Sequence, residues 1–558
     1  MTHRAFWVST RAVALVAVLL IALPARGQER RSFLHVDDQI LPAMSQSVAI
    51  KYWEAHPAQA PPYLRSRLRM LSTQRTLGAA TSGLAPVTGD RFNLDNTGLP
   101  QNEESVTACG PDGKVVLGGT NDYRGLLADP RHQNFTGWSL STDGGLSVRN
   151  EGLLPDLRFP DGRRVPSGGD PVDVADSACH LFAGTLNYNF NTALAPERPH
   201  SGVGVYRSGA NVLAACPRGA DPSCWPLKKV VAVAPRHHFY DKEWIDVGSS
   251  GSAGEVVWVV FTDFRSPFQS SIKAVRCGAR LRKCTRPIKI SSKLNGPGLP
   301  FAQFPDVKIG PDGRTYILWT EIHHGLFPSG ATHMVHKLRV APAGSTSFGP
   351  ARVVARETRP LWNKNPLHAN DFRVATIPKL TVMTVGSQAK IFVTWERCRF
   401  LDPQVAGGVE PPPTVCEEPQ VVLTSSRSSG RTWSSPTVLS VGGDNYFPTI
   451  ASDGSGDLAV AWYTSRFDRV FHNRQDVELV TLDPKSKRVV TRRRVTKVSN
   501  EPEADPTVFG YFIGDYFQAF VLDGSAYVHF NANYRSTYFL GRGLPIPQQD
   551  NFLRRVSL

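Results

Sequence analysis

The chain repeats one sequence plan seven times, at intervals of roughly 70 residues, and this repetition constrains the fold more than any other feature. Each unit begins with acidic or aromatic residues, continues into a strand-like run, turns at Gly and Asp, and ends in a second apolar run. The units are 102–124, 169–189, 241–265, 303–321, 371–397, 445–466 and 514–535. Repeats of this kind are supersecondary units that bury their apolar faces against their neighbours.

The pattern inside each unit predicts antiparallel strands. The second run is rich in Val, Ile, Phe, Trp and Tyr, as expected of a strand that is buried on both faces. Turns such as GPDGK (110–114) and SDGSG (452–456) contain residues that tolerate positive φ, as hairpins require. Two further strand-like runs lie between units, and four strands repeated radially form a β-propeller. A row of separate small β domains is the alternative, but no Pro/Ser-rich linker divides the units.

Two outer hairpins carry a resemblance to a known family. Residues 141–145 read STDGG, the S-x-D-x-G core of an Asp-box, with Val148 where an aromatic residue is usual. Residues 426–433 read SRSSGRTW and match S-x-D-x-G-x-T-W, with Ser428 in place of the Asp. From roughly residue 90 to its C-terminus the chain therefore resembles the sialidase-like (BNR-repeat) superfamily of secreted bacterial β-propellers. In that family these residues fold a hairpin and are not catalytic.

We therefore predict an all-β fold, a seven-bladed β-propeller of four-stranded antiparallel blades over residues 91–558. The resemblance implies six blades as the alternative, because propellers of this superfamily often have six.

The N-terminus predicts export. Arg4 and Arg11 flank a short basic region, and the apolar run from Ala12 to Pro24 is shorter than the roughly 20 residues that span a bilayer. Ala25-Arg26-Gly27 offers small residues for cleavage, so we predict a signal peptide over 1–27 and a secreted or periplasmic mature chain. An uncleaved anchor is the alternative. Residues 28–90 are expected to form an N-terminal extension, partly helical or disordered.

The eight cysteines fit an oxidising compartment. Three local pairs are suggested by their spacing, Cys216 with Cys224, Cys277 with Cys284 and Cys398 with Cys416. Cys109 and Cys179 remain, and we expect them to join two neighbouring inner strands.

Charge and motif content limit the partners. With 63 Lys and Arg against 48 Asp and Glu, the formal net charge is +15, which suits an anionic glycan or glycoconjugate; a scattered Arg-rich composition is the simpler explanation. Export and the absence of a basic, aromatic-interleaved motif argue against nucleic acid. We expect a monomer without a transmembrane segment in the mature chain. No cofactor is predicted, although Asp122, Asp170 or Asp306 could contribute to a structural calcium site.

Propeller topology predicts where function lies, because the starts of the innermost strands and the ends of the second strands share one face of the ring. Before the first strands lie Glu103, Asp170, Glu243, Asp306, Asp444 and Asp515. At the ends of the second strands lie Asp122 to Arg124, Asp263 to Arg265, Glu321, Glu396, Arg397, Ser465, Arg466 and Asn533 to Arg535. We expect these residues to converge around one mouth of the central channel.

The resemblance implies a chemistry for this mouth. Sialidases bind a substrate carboxylate with three arginines, use a Tyr/Glu pair as nucleophile and an Asp as acid/base, and arginine binds carboxylates bidentately. The candidate catalytic residues are Asp170, Glu243, Asp306 and Tyr534. The candidate substrate-binding residues are Arg124, Arg265, Arg397, Arg466 and Arg535. His237 and His238 could add a group that titrates near neutral pH.

Two observations favour other interpretations. An Arg recurs at the same place in five of the units, which suggests structural ion pairs around the channel rather than an asymmetric site. The Phe-Arg-Ile-Pro motif of sialidases does not occur, and Arg373 in the sequence DFRV (371–374) matches it only poorly. We therefore predict a sialidase-like glycoside hydrolase that acts on anionic sugars. The alternatives are a non-catalytic propeller that binds glycans or proteins, and a polysaccharide lyase.

Overall fold

The structure is a computed structural model. It describes residues 90–558 except 96, 126–133, 189–200, 266–268, 293, 295–299, 325–330, 361–366, 368, 371, 404–413, 455, 506–507, 509–511 and 539–544. The predicted signal peptide and, apart from Asp90, the predicted N-terminal extension lie outside the described residues.

Seven antiparallel sheets form a β-propeller, which confirms the seven-bladed fold and excludes six blades. In blades 1 to 6 the strands follow one another from the channel outward. Blade 1 consists of β1 (Gln101–Cys109), β2 (Val115–Asp122), β3 (Thr136–Ser141) and β4 (Asn150–Leu153). A hairpin of β5 (Leu157–Arg158) and β6 (Arg164–Val165) connects it to blade 2.

Blades 2 to 4 repeat this order. Blade 2 consists of β7 (Val172–Ala175), β8 (His180–Tyr188), β9 (Ser201–Gly209) and β10 (Leu227–Val233), with the short helix α1 (Ala210–Ala215) between its last two strands. Blade 3 consists of β11 (His238–Ser249), β12 (Glu255–Arg265), β13 (Gln269–Gly278) and β14 (Ile288–Lys289). Blade 4 consists of β15 (Phe301–Ile309), β16 (Thr315–His324), β17 (Ala331–Ala341) and β18 (Arg352–Pro360).

Blade 5 carries an inserted hairpin between its second and third strands. It consists of β19 (Lys379–Val385), β20 (Gln388–Arg397), β23 (Gln420–Ser426) and β24 (Thr437–Val438), and the hairpin is β21 (Phe400–Pro403) with β22 (Thr414–Glu417). Blade 6 consists of β25 (Asn445–Ser452), β26 (Leu458–Thr464), β27 (Asp476–Leu482) and β28 (Val489–Arg494). Blade 7 consists of β29 (Gln518–Leu522), β30 (Ser525–Tyr538) and β31 (Pro545–Ser557).

The fourth edge of blade 7 comes from the start of the described chain. Arg91 pairs with Phe552 in an antiparallel bridge. The backbone N–H of Phe92 donates to the carbonyl of Asn551 at 3.0 Å, and that of Leu553 donates to Asp90 at 2.9 Å. The two ends of the described chain are thereby hydrogen-bonded in one blade, and the ring is closed.

The core lies between blades. The second strands are buried on both faces, which explains their continuous apolar runs. Blades 3 to 6 each place a fully buried tryptophan in this strand, namely Trp258, Trp319, Trp395 and Trp462. Large aromatic side chains of this kind dominate the apolar area that packs one blade on the next.

Four disulfides join the pairs expected from the sequence: Cys109 with Cys179, Cys216 with Cys224, Cys277 with Cys284, and Cys398 with Cys416. The first links the end of β1 to the turn before β8 and so joins blades 1 and 2. Disulfides of this number are typical of chains that fold in an oxidising compartment. Among the described residues, no helix is both long and apolar enough to cross a membrane.

The two serine-rich outer turns fold through their own side chains. The Ser141 hydroxyl accepts from the N–H of Gly145 at 2.9 Å, and Asp143 accepts from that of Ser147 at 2.9 Å. In the second turn the hydroxyl of Ser426 accepts from Gly430, and that of Ser428 accepts from the N–H of Thr432 at 2.8 Å. Ser428 thus closes its turn as Asp143 closes the first.

Candidate functional site

The strand register places the candidate residues on one face. Gln101 pairs with Asp122, His238 with Arg265, and Asn445 with Thr464, so innermost strands start where second strands end. We call this face the mouth face. It also carries long connections, such as 465–475 between β26 and β27, whereas the opposite face carries short turns such as 386–387 between β19 and β20. Long loops on a rigid scaffold are where binding and catalytic residues concentrate.

A recurrent backbone feature aims side chains into this mouth. Four innermost strands contain a β-bulge near their start, and the residue there is in the left-handed region: Glu103 (φ 58°), Lys242 (φ 50°), Phe304 (φ 58°) and Phe447 (φ 51°). Asp170 (φ 57°) and Gly514 (φ 99°) adopt it just before the first strands of blades 2 and 7. This conformation costs a non-glycine residue of order 1–3 kcal/mol, and such positions are frequent at functional sites.

Three of these positions meet in one buried ion cluster. The ammonium nitrogen of Lys242 lies 3.1 Å from Glu103 Oε1, 3.0 Å from Asp170 Oδ2 and 2.6 Å from Asp515 Oδ2. Asp515 also accepts from Arg373, whose Nε is 2.8 Å from its Oδ1. We call Glu103, Asp170, Lys242, Arg373 and Asp515 the Lys242 cluster. Every member is at most 5 % exposed.

Hydrogen bonds fix the carboxylates of the cluster. The amide of Asn121 donates to Glu103 Oε2 at 2.7 Å, and its oxygen accepts from the backbone N–H of Asp170 at 2.8 Å. The N–H of Asp515 donates to Glu103 Oε1 at 3.1 Å. Blades 1, 2, 3 and 7 are therefore linked through one set of charges at the mouth face.

Burial and charge drive the acid pKa values in opposite directions. Burial, and next the Asp170 carboxylate, raise the pKa of Glu103 well above its ordinary value despite Lys242. Burial would also raise that of Asp515, but Arg373 and Lys242 hold the pKa of Asp515 below its ordinary value. The pKa of Lys242 is raised well above normal, because its three carboxylates outweigh the effect of burial. Two carboxyl groups that contact one ammonium group, those of Glu103 and Asp515, thus have pKa values shifted in opposite directions.

The predicted catalytic acids are separated by the structure. Asp170 belongs to the cluster, and burial raises its pKa. Glu243 follows Lys242, is 1 % exposed, and neither carboxylate oxygen has a hydrogen-bond partner among the described residues. Burial and Asp170 raise the pKa of Glu243 well above normal. Asp306 lies deeper in the channel, where its Oδ2 accepts from the N–H of Leu380 at 2.8 Å.

Tyr534 does not join these acids, contrary to the expected convergence. Its hydroxyl donates to the carbonyl of Val498 at 2.7 Å, and its ring packs on Phe552 at 5.1 Å. Both partners lie toward the outside of the ring, because a residue near the end of a second strand points between blades rather than along the channel. Burial also raises the pKa of Tyr534.

Three predicted arginines pair within the outer part of their own blades. Arg124 binds Asp122 at 2.5 Å and Glu151 of β4 at 2.8 Å. Arg466 pairs with Glu478 of β27. Arg535 donates to the carbonyl of Asp95 at 3.1 Å and lies 3.8 Å from Asp550 of β31. Glu151, Glu478 and Asp550 belong to third or fourth strands, so the expectation that these ion pairs surround the channel is wrong.

The other two arginines differ. Arg397 donates to Gln420 at 3.2 Å, and Arg265 is exposed, with no hydrogen bond or ion pair to the described residues. Opposite Arg265, His238 Nδ1 lies 2.7 Å from Asp263 Oδ1. His237 is exposed beside it. Blade 3 thus presents a histidine oriented by a carboxylate, and a free guanidinium, at the edge of the mouth face.

Lys242 and Arg373 are the residues that sequence reasoning missed as site members. Lys242 stood between two acidic candidates in the sequence DKEW, and its bulge carries no glycine or asparagine that would reveal a left-handed backbone. Arg373 was compared with a sialidase motif, whereas its role here is the ion pair with Asp515 and a stack on Phe512 at 5.0 Å. Among the described residues, no group of three or more His, Cys, Asp or Glu side chains is arranged to hold a metal ion.

Neither a protein-family model nor a curated protein sequence matches the chain. Among solved structures, a Hadza microbial sialidase is similar with 10 % identity and a TM-score of 0.39, over 76 % of this chain and 73 % of that one. An ulvan lyase, described as a new family of polysaccharide lyase, has 8 % identity and a TM-score of 0.44, over 84 % of this chain and 96 % of that one. An α-L-arabinanase of Penicillium chrysogenum has 9 % identity and a TM-score of 0.32, over 56 % of this chain and 92 % of that one. These are similarities of overall β architecture.

Proposed function

We propose that the protein is a secreted glycoside hydrolase of the sialidase-like propeller type, acting on anionic sugars at the Lys242 cluster. The observation that carries this proposal is the pair of carboxyl groups on one ammonium group, Glu103 and Asp515, whose pKa values move in opposite directions. Environments that push two carboxyl pKa values apart assign the acid and base roles of glycosidases.

The roles follow from the contacts. Glu103, whose pKa is raised, is the general acid toward the leaving-group oxygen. Asp515, held ionised by Arg373 and Lys242, stabilises the positive charge that develops on the sugar ring. Both carboxyl groups contact the same nitrogen, so they lie closer than the roughly 6.5–9.5 Å of inverting glycosidases. Glycosidases with closely spaced carboxyl groups retain the anomeric configuration.

Access is part of the proposal. The carboxyl groups of the cluster are buried, and Phe512 lies on the guanidinium of Arg373. A substrate therefore requires the Phe512 side chain to move aside, as groups that cover active sites do on substrate binding.

Exposed groups on the mouth face support an anionic sugar. The connection after β26 presents Phe471, 71 % exposed, next to the exposed Arg469 and Arg474. Asp468 fixes this connection by accepting from four backbone N–H groups, those of residues 470, 471, 473 and 474. A rigid aromatic ring among guanidinium groups offers a sugar both an apolar face and a carboxylate partner.

A second candidate function, a polysaccharide lyase, is favoured by His238, Asp263 and Arg265. In that reaction Arg265 pairs with the carboxylate of a uronate, and His238, oriented by Asp263, removes the proton next to it. The C–O bond to the leaving oxygen breaks as the C=C bond forms, the leaving oxygen takes up a proton from solvent water, and His238 returns its proton to solvent. Unlike the Lys242 cluster, His238 and Arg265 are partly open to solvent, whereas Asp263 is buried behind the histidine.

One experiment separates the two functions. The purified protein is incubated with fluorogenic sialosides and uronate-containing polysaccharides, and released fluorophore, reducing ends and unsaturated uronate absorbance are followed. For the hydrolase, Glu103→Gln and Asp515→Asn lower turnover about 10²–10⁴-fold without unsaturated product. For the lyase, His238→Ala removes the ultraviolet signal and Glu103→Gln does not.

The control is Asp143→Ser. Asp143 lies in an outer turn on the face opposite the mouth, and serine already fills the equivalent position as Ser428, so turnover should be unchanged. Glu103→Gln imitates the protonated acid, so its unfolding temperature should stay close to that of the wild type. Failure of the wild type to convert any substrate in the panel would refute both enzymatic functions and leave glycan binding.

A further inference from the structure

A cavity of about 230 Å³ lies in the central channel. First strands of all seven blades line it, from Val106 of β1 to Phe520 of β29. Its wall includes Val247 and Ile309, near the ends of β11 and β15, so it lies toward the face of the short turns. The paired rings of Trp244 and Tyr516, 5.3 Å apart, lie between it and the Lys242 cluster, since Tyr516 has Lys242 at 5.7 Å and Lys379 at 5.1 Å.

Two lysines line this cavity in different surroundings. Lys308 lies 3.5 Å from Asp246 Oδ1 and is 29 % exposed. Lys379 is 4 % exposed, and its nitrogen lies 3.0 Å from the centre of the Trp244 ring. Lys379 has no hydrogen bond or ion pair with a carboxylate among the described residues. One amine is therefore held as a paired cation, and the other rests on an aromatic face.

Burial and the surrounding charges shift the pKa values of Lys379 and Lys308 in opposite directions. Burial lowers the pKa of Lys379 to about 7; Asp306 and Glu103 act against this, while Lys308 and Lys242 add to it. Partial burial would lower the pKa of Lys308, but Asp246 and Asp306 raise it above normal. At neutral pH a much larger fraction of Lys379 than of an ordinary lysine is then the free amine. A desolvated lysine near other cations is a known form of activated amine nucleophile.

A carboxyl group faces the same cavity. Asp306 Oδ2 accepts from Leu380, the residue after Lys379, while its Oδ1 is buried without a hydrogen-bond partner among the described residues. Burial raises the pKa of Asp306. It can therefore carry a proton to and from a group that reacts at Lys379.

We propose that Lys379 is a nucleophilic amine that forms a Schiff base with small aldehydes entering the channel from the short-turn face. The nitrogen lone pair attacks the carbonyl carbon, a C–N bond forms, and the carbonyl oxygen takes up the proton released by the nitrogen. Asp306 then protonates this hydroxyl, which leaves as water while the C=N bond forms. The cavity size restricts the aldehyde to a few carbon atoms. This proposal is independent of the glycosidase.

The test is reductive trapping with glyceraldehyde and cyanoborohydride on the full-length protein, followed by peptide mapping. At pH 7 the adduct should form at Lys379 at least tenfold faster than at Lys308. Its rate should rise with pH only to about 8 and then level off, whereas surface lysines, the internal positive control, continue to gain up to pH 10.

Variants complete the test. Lys379→Arg should remove the fast adduct, Lys308→Arg should leave it, and Asp306→Asn should slow it; unfolding temperatures show whether each variant is folded. Labelling of surface lysines without Lys379 would overturn the proposal. So would a Lys379 rate that climbs about tenfold per pH unit up to pH 10, as an ordinary lysine does.

Discussion

Replacing Lys242 by Met removes the cation that three buried carboxylates share. Glu103, Asp170 and Asp515 all lie within 3.1 Å of its nitrogen, and none is more than 1 % exposed. Met keeps the length and apolar stem of the side chain, so the substitution tests charge rather than packing. Of the cluster's cations only Arg373 remains, on Asp515.

Breaking a buried ion pair from one side costs about 3–5 kcal/mol, because it leaves uncompensated charge. Unfolding entropy is about 2.1 cal/mol/K per residue, or about 1 kcal/mol/K over the roughly 470 residues of the propeller. The unfolding temperature of Lys242→Met should therefore fall by about 3–5 °C at pH 8.

The loss should depend on pH with a defined sign. Without Lys242 the folded-state pKa values of Glu103 and Asp170 rise further above their unfolded values, so the variant loses stability as pH rises from about 4. The wild type keeps Asp515 below its ordinary pKa, and this contribution is present above about pH 4 and lost below it. The difference between the two proteins should widen from pH 4.5 to 8.

Differential scanning calorimetry at one scan rate measures this difference. Lys337→Met is the matched control, since Lys337 pairs with Glu321 at 2.6 Å but is 25 % exposed. Its shift should stay within about 1 °C, because a solvent-screened pair contributes about 0–1 kcal/mol. The reasoning is refuted if Lys242→Met costs no more than this control, or if its shift is the same at every pH.

Three further perturbations test the ring. Replacing both cysteines of Cys109–Cys179 by Ser opens a loop of 70 residues and should lower the free energy of unfolding by about 4 kcal/mol. The same change at Cys277–Cys284, which closes a loop of 7 residues, should lower it by about 2.5 kcal/mol. Equal denaturant midpoints for the two variants would contradict this order. Burial raises the pKa of the unpartnered Glu104, so Glu104→Gln should match the wild type at pH 4 and unfold at a higher temperature at pH 8; an equal gain at both pH values would show another cause. Phe92→Ala should cost about 3–5 kcal/mol, since Phe92 packs on His529 in the closing blade, and a loss below 1 kcal/mol would mean that this edge does not hold the ring.

The ring was predictable because its signals are local and repeated. A strand buried on both faces needs a continuous apolar run, and such runs at residues 255–265 and 458–464 became second strands. The cysteines could be paired because each short pair brackets one loop. The closing edge at Arg91 could not be read, because a bridge to Phe552 leaves no pattern near either residue.

The candidate site was only partly predictable. Counting from strand starts found Asp170, Glu243 and Asp515, because position on a face follows from topology. It could not find the direction of a side chain at a strand end. Arg124 and Tyr534 were expected at the channel, but Arg124 pairs with Glu151 of its own blade and Tyr534 lies between blades. Nor could it find Lys242, whose bulge depends on long-range pairing with β12.

Features that recur from blade to blade belong to the scaffold of the ring, whereas the charged cluster, which does not recur, is the candidate for function. The left-handed bulge recurs with Phe304 and Phe447 in blades 4 and 6, so the bulge itself serves the twist of the innermost strands. In blades 1 and 3 this bulge carries Glu103 and Lys242, and in blade 2 Asp170 has the same left-handed backbone just before the first strand. These three residues assemble charges in the Lys242 cluster. The arginines at second-strand ends recur, and most of them form ion pairs with acids of their own blades. One substrate needs an asymmetric site, and the charges on one side of the mouth, not the repeated arginines, have that asymmetry.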